Sequence, residues 1–201
     1  MGHSAFVVQA FDAQSYHFLE EVKLVSHLLK DIGMTWDIPD NIPSDGFQFY
    51  ENYLVDGFAT GEEYTDKEGD PRVETLEIYL DNLNKSQHAD MNQEPNFPFQ
   101  HVKNIGDVFK CSFFISDISW NWDKALRLIV KYMQAKKDRM PLVTFEDGSN
   151  KYYTFEDCLK LYHYCDGDHQ KIDSDIWFGK AWKEMLKTKK PYSMDDIAKW
   201  F

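Results

Sequence analysis

A short apolar run followed at once by a long amphipathic stripe constrains this chain more than any other feature. Residues Ala5 to Phe11 (AFVVQAF) are rich in Phe and Val and read as a buried strand. Beyond them Phe18, Val22, Val25, Leu29 and Ile32 recur at spacings of four, three, four and three. That spacing lines one face of a helix, which Leu24 and Leu28 widen, while Glu20, Glu21, Lys23, Lys30 and Asp31 fall mostly elsewhere. Asp12 offers an N-terminal cap and Gly33 a C-terminal stop, so the spacing predicts a helix over Ala13–Ile32. The chain therefore opens with a β-α unit.

The second half is similarly punctuated. From Asp107 to Ser116, Phe109, Cys111, Phe113 and Ile115 alternate to one side of a strand, although Phe114 departs from the pattern. Ser119 or Asn121 caps a helix carrying Trp122, Leu126, Ile129 and Met133. Leu142–Phe145 and Lys151–Phe155 flank Asp147-Gly148-Ser149-Asn150, a hairpin signal. Thr154 and Asp157 have the spacing of a capping box for a helix over Phe155–Cys165. Further helices are expected over Asp175–Lys187 and after Ser193. The helix between the strands near residues 107 and 142 permits a parallel crossover, so the expected fold is α+β. It has a mixed sheet, a C-terminal β-α-β-β-α-α arrangement and helices packed mainly on one face.

The middle is harder to read. Trp36–Pro43 has no regular period, and the aromatic run Phe47–Phe58 suits helix or strand. Ala59–Pro71 reads as an acidic loop. Asp70-Pro71 then opens a helix with Val73, Leu76, Leu80 and Leu83 on one stripe. A strand with Leu76, Ile78 and Leu80 on one face is the rival. Residues 84–104 read as a long loop, so one domain over 1–201 is expected, with a possible division into an acidic half (1–83) and an aromatic-rich half (105–201).

Charge narrows the functional classes. The 201 residues carry a formal net charge of −12. Residues 1–100 hold 19 acids against 5 bases, whereas residues 101–201 hold 15 against 17. Between Asp37 and Asp81 there are 13 acids and only Lys67 and Arg72 to oppose them. Such a field attracts cations and repels phosphates. Only three basic residues are arginine (Arg72, Arg127 and Arg139), which argues further against direct nucleic-acid binding. A basic protein, such as a toxin or a nucleic-acid enzyme, is the partner that fits. The expected contact residues are Asp56, Glu62, Glu63, Asp66, Glu68, Asp70, Glu74 and Glu77, with Trp120 and Trp122 as aromatic anchors. A solvated acidic face that only maintains solubility is the plainer account of the same charges.

Signatures of other chemistry are scarce. The sequence contains no G-x-S-x-G, no phosphate-cradling glycine loop and no H-E-x-x-H. Cys158, His163, Cys165 and His169 are the one zinc-type constellation, but on a helix His163 turns roughly 140° from Cys158. Cys158 is expected in the core instead. Asp66–Glu77 begins like a calcium loop yet has Pro71 at the position that needs glycine. No cofactor is expected. Three cysteines without a CxxC pair suggest a reducing compartment, hence the cytoplasm. No apolar run is long enough for a membrane helix, and the first residues lack the pattern of a secretory signal. A hydrolase with a dispersed carboxylate/histidine site, with or without a metal, is the alternative function, and peptide or carbohydrate binding by the tryptophan-rich half a third.

Overall fold

A computed structural model describes residues 4–10, 14–36, 54–66, 68–81, 109–116, 122–145 and 152–165. These form seven strands and three α-helices: β1 (Ala5–Ala10), α1 (Phe18–Asp31), β2 (Thr35–Trp36), β3 (Leu54–Thr65), β4 (Pro71–Asp81), β5 (Phe109–Ser116), α2 (Trp122–Ala135), β6 (Leu142–Phe145), β7 (Tyr152–Thr154) and α3 (Phe155–Cys165). The strands make one sheet in the order β2-β3-β4-β5-β1-β6-β7.

Every pairing in that sheet is antiparallel. The mixed sheet expected from a crossover is thus corrected, for a topological reason. β5 and β6 do run in the same direction on either side of α2, but β1 lies between them and pairs with both. β1 and β4 likewise run alike with β5 between them. The result is a pair of interlocked split β-α-β units, with the β2–β3 segment inserted ahead of β4. Strands from both sides of residues 84–104 alternate in the sheet.

The core lies between the sheet and α1 and α2. Leu76, Ile78 and Leu80 of β4, Phe113 and Ile115 of β5, and Ala5 and Val7 of β1 join Val22, Val25 and Leu29 of α1 and Leu126, Ile129 and Met133 of α2 in one buried cluster. Cys158 is also part of it.

α1 begins at Phe18, five residues later than expected, because that is where its apolar stripe begins; His17 stands at its N-cap. Its C-terminus closes as expected. Gly33, with φ +77°, lets the amides of Gly33 and Met34 reach the Lys30 and Leu29 carbonyls. The cap of α3 also matches expectation. The Thr154 amide donates to Asp157 Oδ2 at 2.9 Å and the Asp157 amide to Thr154 Oγ1 at 3.4 Å.

Two expectations fail in the middle of the chain. Ala59–Thr65 is strand rather than loop, and Pro71–Asp81 is strand rather than helix. The buried alternation Leu76, Ile78, Leu80 decides the second case, since a helix would turn Ile78 away from the other two. The helices expected over Asp175–Lys187 and after Ser193 lie outside the described residues.

Candidate functional site

β3 and β4 are the longest strands, and they outrun their neighbours. β5 pairs only with Glu77–Leu80 of β4, and β2 only with Ala59 and Thr60 of β3. Beyond those points the described ladder consists of β3 and β4 alone, a two-stranded acidic ribbon. Glu62–Thr65 and Glu68–Val73 are exposed along it.

The register assigns each acid a place. Phe58 opposes Glu77, Thr60 opposes Thr75, and Glu63 opposes Val73. Paired residues share a face, and residues 73, 75 and 77 alternate with the buried Leu76 and Ile78. Glu63 and Glu77 therefore lie on the sheet face opposite that of the buried Leu76 and Ile78. Asp56 pairs with Tyr79 in the same register.

Glu74 is on the other face and is already engaged. Between Thr60 and Glu63 the β3 strand carries one extra residue, Gly61 and Glu62 standing opposite Glu74, a bulge. Glu74 Oε2 accepts the Glu62 amide at 3.1 Å inside it. A Cβ on Gly61 would overlap the Glu74 carboxylate, so glycine is the residue that allows this approach. The same carboxylate pairs with Lys124 Nζ of α2 at 3.2 Å, with the two side chains only 13% and 19% exposed. Lys124 Nζ also donates to the Ile32 carbonyl at 2.9 Å. Glu74 thus fastens the ribbon to α1 and α2 and offers little charge to a partner.

The ribbon tip gathers Asp66, Glu68 and Asp70, whose carboxylate oxygens lie within 4.8 Å of one another. Three carboxylates at that range have the composition of a divalent-cation site. Asp66 is occupied otherwise. Its Oδ1 accepts the amides of Glu68 and Asp70 at 2.9 Å each, and its Oδ2 accepts Arg72 Nε at 2.9 Å. The Arg72 hydrogen bond, then the Asp70 amide, hold its carboxyl below the usual aspartate value. Arg72 also approaches Asp70 at 3.8 Å. Arginine and backbone thus perform the neutralising task a metal would have. Gly69, at φ +91°, completes the turn.

The structure therefore spreads the expected contact residues over two ribbon faces and a tip. None of Glu62, Glu63, Glu68 and Glu77 makes an ion pair among the described residues. Trp122 opens α2, and Trp120 lies outside the described residues. Of the zinc-type constellation, Cys158 is buried, His163 and Cys165 belong to α3, and His169 lies outside the described residues.

A buried polar chain escaped the sequence reading altogether. Gln9 Nε2 donates to Tyr132 Oη at 3.3 Å, Tyr132 Oη donates to Glu21 Oε2 at 2.9 Å, and Lys136 Nζ bonds Glu21 Oε1. The apolar stripe of α1 leaves Glu21 off its buried face, yet Glu21 is buried at 4% exposure. Its place three residues after Phe18 and four before Val25 was the available signal. His27 is largely exposed and 3.9 Å from Asp31 on the surface of α1.

No protein-family model, curated protein or solved structure matches the chain.

Proposed function

We propose that the chain is a non-catalytic acidic interaction protein whose β3–β4 ribbon docks on a basic protein partner. An inhibitor, an immunity protein or a nucleic-acid mimic would work in this way, presenting carboxylates where a partner expects phosphates. The observation that carries the reading is the exposure of Glu62, Glu63, Glu68 and Asp70 on a ribbon that extends past the rest of the sheet. Steering needs charges that are not already paired, and the first three of these have no ion pair among the described residues. Attachment to α1 and α2 through Glu74 and Lys124 holds the ribbon in one orientation, which lowers the entropic cost of binding. The ribbon face of Glu63 and Glu77 lies opposite that of Glu74, which meets Lys124 of α2, and is the face offered to the partner.

The test measures affinity for a lysine octapeptide over a salt series. Three proteins are compared: the unmodified chain, Glu63→Gln/Glu68→Gln/Asp70→Asn, and the equally charged control Glu20→Gln/Asp138→Asn/Glu156→Gln. The ribbon variant should lose about tenfold in affinity and flatten the salt dependence, while the control changes by less than about threefold. Equal losses in both variants would show that net charge alone attracts the peptide, and the docking ribbon would be refuted.

A further inference from the structure

The ribbon face of Glu63 and Glu77 carries more than charge. Phe58 is 53% exposed and Val73 45%, and the register puts both on the face of Glu63 and Glu77. Single exposed apolar residues are ordinary. Here each is the direct cross-strand partner of a glutamate, Phe58 of Glu77 and Val73 of Glu63, with Thr60 and Thr75 between them. The surface therefore alternates apolar and anionic positions across both strands. It abuts a firm support: Tyr79 stacks on Phe114 at 4.2 Å and 3° between planes, and Phe114 on Phe6 at 5.3 Å.

Charge selects the occupant. A second copy of a chain with net charge −12 would set Glu63 and Glu77 against their own kind, so self-association on this face is opposed. Nucleic acid is repelled on the same ground. We infer that this face binds an extended polypeptide segment that carries lysine or arginine and apolar side chains by turns along one of its own faces, at every second position, the cations meeting Glu63 and Glu77 and the apolar groups covering Phe58 and Val73. The inference rests on the docking ribbon proposed above and adds the composition of the segment it accepts. In a strand-like segment residues i and i+2 share a face, so one lying across the ribbon sets a cation and an apolar side chain, two positions apart, against each cross-strand pair.

Two synthetic octapeptides of equal length and charge separate this inference from its parent. One carries lysine and leucine by turns at its odd positions with serine between them, and the other has serine in place of leucine. The unmodified protein should bind the lysine–leucine peptide about tenfold more tightly, because apolar area leaves water only in that complex. Phe58→Ser/Val73→Ser should erase the preference and leave the lysine–serine affinity unchanged. Both positions are exposed, and an unchanged circular dichroism spectrum verifies that the variant folds. Equal binding of both peptides by the unmodified protein, or a preference that survives the double substitution, overturns the inference. If the lysine–serine peptide still binds through Glu63, Glu68 and Asp70, the docking ribbon stands without it. If neither peptide binds, both fail.

Discussion

Lys124→Met should destabilise the protein out of proportion to a surface lysine. Two interactions disappear together: the ion pair to Glu74 at 3.2 Å and the hydrogen bond to the Ile32 carbonyl at 2.9 Å. An exposed pair contributes about 0–1 kcal/mol, and breaking a fully buried one costs about 3–5 kcal/mol. At 13% and 19% exposure this pair falls between those limits, so its loss costs about 1.5 kcal/mol after allowance for solvent screening. The carbonyl hydrogen bond contributes a further ~1 kcal/mol. The sum is roughly 2–3 kcal/mol, or a fall in Tm of about 5–10 °C for a chain of this size. Glu74→Gln should cost less, because the amide oxygen still accepts the Glu62 amide within the bulge. Urea denaturation of the two single variants and the double variant completes the cycle. The double variant should be less destabilised than the sum of the singles by about 1 kcal/mol. Additivity within about 0.3 kcal/mol would mean that Lys124 and Glu74 do not interact, and the ribbon's anchorage would have to be sought elsewhere.

Three other outcomes follow from the same geometry. Asp66, whose folded carboxyl lies below its ordinary value of 3.8, should keep the tip turn ordered at neutral pH and release it only as pH falls through that depressed value; the amide shifts of Glu68 and Asp70 should titrate with a midpoint below 3.8, and a midpoint at or above it would contradict the Arg72 contact. Tyr132→Phe removes the hydroxyl between Gln9 and Glu21 and should cost about 1–3 kcal/mol in chemical denaturation, against under 0.5 kcal/mol if that hydroxyl were not engaged. Thr154→Ala removes the side chain that caps α3 and should cost about 1 kcal/mol, measured in the same way.

Sequence alone made some elements plain and hid others, for physical reasons. α1 and β5 were legible because each buries one face, which writes a period near four or of two into the residues, whereas β1, whose Val7, Val8 and Gln9 are all buried, was legible as a short apolar run. The outer ribbon buries neither face at Glu62–Thr65, so no apolar period marks it as strand. Its structure comes from cross-strand pairing, which is non-local. Pro71 compounded the error, since proline suits the first position of a strand as well as of a helix. The acids of the candidate site were visible as composition. That Glu74 is consumed by Lys124, fifty positions away, was not. The chain Gln9–Tyr132–Glu21 joins residues 123 and 111 positions apart, a distance no local pattern records.

Amide chemical-shift mapping during titration with the lysine octapeptide addresses the docking claim most directly, because it reports where contact occurs. Perturbations concentrated at Glu62–Tyr64 and Glu68–Val73, and weakened by added salt, are the predicted result. Shifts scattered over α1, α3 and the ribbon alike would contradict the account.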